Sequence, residues 1–149
     1  MSKAYKKSRY QGRGDQTEQV VTTCPYCGCG CQLVLHVKDG RVVKVEGDET
    51  GVPNYGSTCV KGRFGFDFIT SPDRLTKPLI KQGQEFVEAS WEEALDLVAS
   101  RMKEIKEQSG ADAFMVASSA KATNEENYAA MKFTRAVLGT NNIDHCARL

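Results

Sequence analysis

The hydrophobic and polar positions of residues 32–38 alternate, which predicts a β-strand with one apolar face. The Asp39-Gly40 dipeptide that follows is typical of a type I′ turn, and the valine-rich residues 41–46 return as a second strand. A short run at 20–23 predicts a strand in front of this hairpin. The predicted apolar face consists of Leu33, Leu35 and Val37, and the more polar face of Val34, Lys38 and His36, a half-exposed strand histidine rather than a ligand.

Further along the chain, the apolar positions repeat with the period of α-helices. Capping boxes at 90–93 and 123–126 predict two helices, which run to about Ser109 and Leu138, where glycines end them. We expect one apolar stripe of the first helix to face a core, with Met102 as a core residue rather than a cofactor contact. The stripe consists of Ala94, Leu95, Val98, Met102 and Ile105.

Short apolar segments complete this second half. Residues 79–88 predict a hairpin that turns near Gln82-Gly83, and residues 113–117 and the segment from Asn142 predict buried strands. Helix, strand, helix, strand is the order of an α/β unit with a parallel sheet. Ligands of such sheets bind at the C-terminal ends of the strands, where residues 118–122 and the end of the chain are expected to lie.

The predicted fold class is therefore α+β, with a small β-rich domain followed by the start of an α/β, parallel-sheet domain. We interpret residues 1–19 as a flexible basic tail, 20–70 as the first domain and 71–149 as the incomplete second. The second is interpreted as incomplete because two strands are predicted where a sheet usually holds about five.

Composition narrows the functional class. The 149 residues are 40% hydrophobic and 26% charged, as in globular proteins, and the net charge of +1 gives no signal for nucleic-acid binding. No apolar run predicts a signal sequence or a membrane span, so we expect a reducing, cytoplasmic location. In that compartment the six cysteines are available as metal ligands rather than as disulfides.

The cysteine spacing predicts a metal site. Cys24-x2-Cys27-x3-Cys31 forms one tight loop, and Cys59 returns later, after a loop at 47–58. Soft thiolates at such spacing select an iron–sulfur cluster or zinc, and zinc sites more often use two spaced pairs. Spacing alone therefore favours one iron–sulfur cluster bound by these four cysteines, with structural zinc as the alternative. Cys29 could compete as a ligand, and we interpret it as a small buried side chain.

Two cations follow the last candidate ligand. Lys61 and Arg63 come directly after Cys59, where positive charge would stabilise a negatively charged cluster; a solvated basic turn is the alternative interpretation. The next residues are expected to form a short helix that packs beneath the site. Its apolar members are Phe64, Phe66, Phe68 and Ile69.

These segments resemble the molybdenum- or tungsten-dependent oxidoreductases that carry bis-molybdopterin guanine dinucleotide, and most of all the catalytic subunit of formate dehydrogenases. The resemblance spans residues 20–149. It rests on Cys24-Pro25-Tyr26-Cys27-Gly28-x-Gly30-Cys31, Cys59-x-Lys61-Gly62-Arg63, Leu75-x-x-Pro78-Leu79, Trp91-Glu92-Glu93-Ala94, 122–128 (ATNEENY) and 139–148 (GTNNIDHCAR).

The resemblance implies a [4Fe–4S] cluster on Cys24, Cys27, Cys31 and Cys59, with Lys61 on the electron path between cluster and pterin. Lys61 and Arg63 are then the candidate cofactor-binding residues, and the pterin carries molybdenum or tungsten. The implied reaction is the reversible oxidation of formate to carbon dioxide, the protein positioning and tuning the cofactors.

The implied partners are the remainder of the catalytic subunit and an iron–sulfur electron-transfer subunit. The latter would connect to a hydrogenase, a ferredoxin or an NAD-reducing unit, among which the sequence does not choose. Two alternatives stay open: a non-catalytic [4Fe–4S] electron-transfer module, and another molybdopterin oxidoreductase such as nitrate reductase.

One departure from the family concerns the metal ligand. In the family, a cysteine or selenocysteine that binds the metal follows the Cys-Ala-Arg motif, here Cys146-Ala147-Arg148, within one or two residues. Cys146 belongs to the motif and is not that ligand. Because the sequence ends at Leu149, we expect a selenocysteine codon at that point, and no turnover by these residues alone.

Overall fold

A computed structural model describes residues 17–146 of the chain. Backbone contacts divide it into two compact units, with the boundary between Ser71 and Pro72. The basic tail lies outside the described residues up to position 16, whereas Glu18 and Gln19, which the sequence assigned to the tail, belong to the first strand. Within the described residues, no helix is both long and apolar enough to cross a membrane.

The first unit is built on an antiparallel sheet of three strands in the order β1-β2-β3. These are β1 (Glu18–Thr23), β2 (Gln32–Lys38) and β3 (Arg41–Gly47). Asp39 and Gly40 both have positive φ, +49° and +73°, as a type I′ turn requires, so the predicted hairpin is confirmed.

The core of this unit lies on the sheet face that carries the cysteines. Cys24, Leu33 and Val45 are buried together, with half-buried neighbours around them. Those neighbours are Tyr26, Cys31, Leu35, Val42 and Phe66. The prediction that Val34 lies on a more polar face is wrong in one respect, because Val34 is fully buried. Strand β2 is therefore buried on both faces at its start.

Two short helices follow the loop after β3. They are α1 (Val60–Phe64) and a 3₁₀-helix (Asp67–Thr70). Phe66 packs against the core, but Phe64, Phe68 and Ile69 are exposed. The prediction that all four residues pack beneath the metal site is therefore wrong for three of them: Phe64 lies at the end of α1, and Phe68 and Ile69 lie on the 3₁₀-helix, which has no buried residue.

The second unit begins with a hairpin and a long helix. Strands β4 (Leu79–Gln82) and β5 (Glu85–Glu88) pair antiparallel, and α2 (Trp91–Ser109) follows. Ser90 accepts a hydrogen bond from the Glu93 amide, and the Glu93 carboxylate accepts one from the Ser90 amide. This capping box confirms the helix start read from the sequence.

A parallel strand pair completes the unit. Strand β6 (Val116–Ser119) pairs with β7 (Ile143–Cys146), and α3 (Asn124–Lys132) with a π-helix (Phe133–Leu138) connects them. Thr140 donates to the Asp112 carboxylate at 2.7 Å, which fixes the entry to β7 beside the entry to β6. The predicted strand–helix–strand order is confirmed, although β6 starts three residues later than predicted, because a 3₁₀-helix (Ala111–Ala113) precedes it.

The apolar stripe of α2 is not buried as predicted. Helix α2 contains no buried residue, and the Leu95 side chain is 60% exposed. Met102 is half-buried beside the π-helix. Together the two helices line an apolar groove of about 490 Å³, formed chiefly by Leu95, Val98, Met102, Phe133, Val137 and Leu138.

Candidate iron–sulfur site

The cysteine loop occupies residues 24–31, between β1 and β2. The last pair of the ladder joins Thr23 to Gln32, and the Cys24 amide then donates to the Cys31 carbonyl at 2.7 Å. These bonds hold the two ends of the loop side by side. Two of the predicted ligands are thereby neighbours because the antiparallel register continues into the loop.

Asn54 connects this loop to the segment that carries the fourth cysteine. Its side-chain oxygen accepts from the Gln32 amide at 2.7 Å, and its amide donates to the carbonyls of Gln32 and Ser57, at 3.1 and 2.9 Å. Asp48 adds a second tie, donating its backbone amide to the Gln32 carbonyl at 3.0 Å. The loop from 48 to 57 is thus fixed next to Gln32, the residue that follows Cys31.

Helix α1 then brings Cys59 to the cysteine loop. Gly62 is buried against Cys24, and an ideal Cβ at Gly62 would lie 3.3 Å from the Cys24 sulfur. The Tyr26 hydroxyl donates to the carbonyl of Gly65, the residue that ends α1. A glycine contact and a tyrosine hydrogen bond therefore hold α1, the helix that follows Cys59, against the loop that carries the other three candidate ligands.

The thiol environments differ in a way that follows from their surroundings. Burial raises the pKa of the Cys31 thiol to about 11, and the neighbouring thiols Cys29, Cys24 and Cys27 add to this shift. Backbone N–H groups of Gly62 and Lys61, with the Lys61 charge, lower the pKa of Cys59. A bound metal group would offset the cost of deprotonating Cys31, because metal ligands are thiolates.

Cys29 lies between two candidate ligands, and its solvent exposure differs from the prediction. Cys29 is exposed, with its sulfur 3.6 Å from that of Cys31, so the interpretation of Cys29 as a small buried side chain is wrong. It occupies the turn at the tip of the loop, where the chain reverses and no core is available to cover it.

The two basic residues lie on α1. Lys61 contributes an N–H and its charge to Cys59, whereas an Arg63 guanidinium nitrogen lies 3.9 Å from a Glu46 carboxylate oxygen. Glu46 also pairs with His36 at 2.8 Å and Lys44 at 3.0 Å. His36 is a half-buried strand residue in this ion-pair network, which agrees with the sequence interpretation.

The donor set fits an iron–sulfur cluster. Among residues 17–146, no three Cys, His, Asp or Glu side chains surround a point where they could hold one metal ion. Such a set is not needed for a cluster, because each of its four cysteines binds a different iron. Thr58 lies beside this site with a buried hydroxyl that has no hydrogen-bond partner in the described part of the chain. A hydroxyl next to Cys59 is a suitable donor to cluster or cysteine sulfur.

A second group of polar atoms lies at the C-terminal ends of the parallel strands. Ser119 and Cys146 face each other there, with Oγ and Sγ 3.9 Å apart, and the amide of Ala120 lowers the pKa of the Cys146 thiol. The Asn127 amide donates to the carbonyls of Ser119, Ala122 and Thr123 and orders the loop. Residues 147–149, which the sequence placed at the same edge, lie outside the described part.

Comparison with known proteins identifies the family. A family model of the molybdopterin oxidoreductase Fe4S4 domain matches residues 17–71, and one of molybdopterin oxidoreductase matches residues 74–149. The chain belongs to the molybdopterin oxidoreductase family. The first match names a [4Fe–4S] cluster as the group of the cysteine domain, and molybdopterin is the cofactor of the second. The predicted fold class and cofactors are confirmed.

Relatives in this family include formate dehydrogenases. The chain is 52% identical over 130 residues to the alpha subunit of an F420-dependent formate dehydrogenase 2 of Methanococcus maripaludis, covering 87% of this chain and 19% of that protein. It is 48% identical over 136 residues to a probable oxidoreductase of Bacillus subtilis, covering 91% and 14%. A putative formate dehydrogenase of Staphylococcus aureus is 43% identical over 145 residues, covering 97% and 15%. The chain thus spans at most about one-fifth of the length of these relatives.

Several residues hold the segments of this site together without being candidate ligands, and the sequence patterns did not single them out. Asn54, Tyr26 and Gly65 act over separations of 22 and 39 residues, which no local pattern reveals. Gly62 had a weak signal, because a glycine three residues after a candidate ligand suggests a close backbone approach.

Proposed function

We propose that this molybdopterin oxidoreductase segment is the cluster-bearing N-terminal part of a formate dehydrogenase alpha subunit. The observation that carries the proposal is the packing of α1, which follows Cys59, against the cysteine loop at Gly62 and Cys24, in a chain whose relatives include formate dehydrogenases. When bound, a [4Fe–4S] cluster supplies single-electron transfer. We propose that residues 20–70, extended to Glu18 because β1 begins there, form the cluster domain, and that residues 71–149 form the start of the molybdopterin domain.

Cys24, Cys27, Cys31 and Cys59 would hold the cluster. Cys24 and Cys31 are positioned by the strand register and Cys59 by α1. Of these thiols, Cys59 has a pKa below its ordinary value, because N–H groups already point at its sulfur. The surroundings of Cys59 therefore favour the thiolate form that binds a cluster.

Lys61 would be the residue on the electron path, and Arg63 a second cofactor contact. Support for Lys61 is its place two residues after Cys59, where its amide and its charge both act on the thiol. Arg63 is held toward Glu46 in this structure, so its proposed role in cofactor binding has less support. A partner iron–sulfur subunit is proposed as electron acceptor, since one cluster must pass its electrons onward.

Metal loading tests the ligand set. The protein is reconstituted anaerobically with iron and sulfide, and iron, sulfide and zinc are counted per chain alongside visible absorbance and low-temperature EPR of the reduced form. We expect cluster stoichiometry, with loss of the cluster in Cys27→Ser and Cys59→Ser and retention in Cys146→Ser, an exposed thiol outside the loop. A colourless protein with one zinc per chain would overturn the cluster assignment.

A test of the substrate requires the complete subunit, with the length that the relatives have. We expect formate, and not nitrate, to change the cluster's redox state in the complete subunit, followed by EPR. In Lys61→Ala the cluster should load normally while its reduction by formate slows, with Lys103→Ala, a lysine of α2, as the matched control. Nitrate-dependent oxidation without a response to formate would favour the nitrate reductase alternative.

A further inference from the structure

Two thiols of the cysteine loop lie in contact with each other. The sulfurs of Cys29 and Cys31 are 3.6 Å apart, and only Gly30 separates the two residues in sequence. Cys31 is a proposed cluster ligand, whereas Cys29 is an additional thiol that the four-cysteine site does not use. The contact is therefore between a proposed ligand and a cysteine outside the proposed set of four.

The backbone allows these sulfurs to bond. A disulfide needs a sulfur–sulfur distance of about 2.0 Å, so the two atoms must approach by roughly 1.6 Å to bond. Gly30 has φ +70°, and nothing lies within 4 Å of the position that a Cβ would occupy. The peptide between the two cysteines is thus unobstructed, while the Cys24 amide anchors Cys31.

The two cysteines also differ in solvent exposure, which determines which of them a reagent reaches first. Cys29 is exposed and Cys31 is half-buried. Cys24, in contrast, is only 5% exposed and its sulfur faces Gly62. A reagent in solution therefore reaches Cys29 first, and the sulfur in contact with it is that of Cys31.

We propose that Cys29 and Cys31 are a redox modification site, which forms a disulfide when the cluster is absent and so withdraws Cys31 as a ligand. The oxidant is a low-molecular-weight disulfide such as glutathione disulfide. The Cys29 thiolate attacks one of its sulfurs, forming a mixed disulfide and releasing one thiol. Cys31 sulfur then displaces the second. Two protein thiols are oxidised, one reagent disulfide becomes two thiols, and both protons pass to the released thiols.

This inference rests on the proposed ligand role of Cys31 for its consequence but not for its chemistry. A disulfide at this position blocks cluster assembly until a dithiol reduces it. The blocked form also protects Cys31 from irreversible oxidation, since a disulfide is reducible whereas sulfinic and sulfonic acids are not. Cys29 then protects the site from irreversible oxidation and is not a fifth ligand.

The test uses cluster-free protein treated with glutathione disulfide. Free thiols are counted by alkylation and mass spectrometry before and after treatment, and iron uptake is then measured with and without a dithiol. No Lys or Arg lies between Arg13 and Lys38, so the four loop cysteines share one tryptic peptide, and fragment ions must assign the bond. The variants are Cys29→Ser and, as the matched exposed thiol outside the loop, Cys146→Ser.

We expect the wild type and Cys146→Ser each to acquire a bond between positions 29 and 31, and to take up several-fold less iron until a dithiol is added. Cys29→Ser should acquire no internal bond and load equally in both conditions. Equal thiol loss in wild type and Cys29→Ser, or a bond to Cys24 or Cys27 instead, would overturn the inference. A bond between positions 29 and 31 that leaves cluster loading unchanged would instead show that Cys31 is not a ligand. The protective role proposed for Cys29 would then also be wrong.

Discussion

The two units of the chain bury their apolar residues to very different extents. The first unit closes a core around Cys24, Leu33 and Val45, with Val34 fully buried beside it. In the second unit, Leu138 is the buried hydrophobic residue among those described, and α2 has none. The cysteine unit is therefore a small domain with its own core, whereas the second unit presents an apolar helix face with no cover from the described residues.

This difference has a physical cause. The first unit contacts itself through neighbouring strands and a short loop, so a few dozen residues suffice to enclose its centre. The parallel sheet of the second unit has two strands among the described residues, and parallel sheets are usually covered by helices on both faces. Its helices are set by local capping, and their burial depends on residues beyond these strands.

Truncation of a side chain in each unit tests the contrast most directly. Leu33→Ala should destabilise the first unit by about 2–5 kcal/mol, because it leaves a cavity in a closed core. Leu95→Ala, at an exposed position of α2, should change stability by less than about 0.5 kcal/mol. Residue-resolved hydrogen exchange reports each unit separately. An equal cost for both variants would show that the α2 face is covered in solution.

Gly65→Ala tests how the first unit joins its two ligand segments. An ideal Cβ at Gly65 would lie 2.6 Å from the Lys61 carbonyl oxygen and 2.6 Å from the Tyr26 hydroxyl, so the backbone must shift. We expect a loss of about 1–3 kcal/mol and weaker cluster retention, measured by denaturant unfolding and iron content. Tyr26→Phe keeps the ring and removes only the hydrogen bond, so its cost should be smaller. A neutral Gly65→Ala would contradict the close packing of α1 on the loop.

Ser90→Ala tests whether local capping sustains the second unit. Loss of the side chain that accepts from the Glu93 amide should cost about 1 kcal/mol, seen as faster hydrogen exchange in the first turns of α2. Ser100→Ala is the internal comparison, because that hydroxyl only donates to the Leu97 carbonyl in mid-helix. Similar effects of the two substitutions would argue against the capping box as the start signal.

The smallest expected effect concerns acid sensitivity of the first unit. Hydrogen bonds from Lys44 and then His36 lower the pKa of Glu46 from its ordinary 4.5. The stabilisation is therefore present at neutral pH and is lost as the pH falls below 4.5 through the folded-state pKa. At pH 7, Glu46→Gln should destabilise the metal-free protein by at most about 1 kcal/mol, measured as a lower melting temperature. The difference in melting temperature between the variant and the wild type should disappear in acid. Glu85→Gln in β5 should show no such trend.

Local signals in the sequence were sufficient for most secondary structure. The Asp39-Gly40 turn and both capping boxes are decided within a few residues, and the structure confirms them. Burial was predicted less well. Val34 and Cys29 have the burial opposite to that expected, because it depends on which elements cover each face and on where a loop has its tip.

The candidate site divides in the same manner. Spacing alone singled out Cys24, Cys27, Cys31 and Cys59, since four thiols at such intervals are typical of a metal site. The ligand assignment stays a prediction, although the family match gives the domain its [4Fe–4S] cluster. No local pattern indicated that Asn54 holds the later loop against Gln32, because the two lie 22 residues apart.

The sequence by itself determined the fold class, the strand and helix order, and the candidate thiols, because these depend on periodicity, turn chemistry and residue type over short distances. Tertiary structure alone decided that Gly62 brings α1 against Cys24, that Tyr26 reaches Gly65, and that Cys29 contacts Cys31 at the loop tip. The first two contacts arise where distant segments of the chain pack together, and the third depends on the conformation of the loop, which the cysteine spacing does not specify.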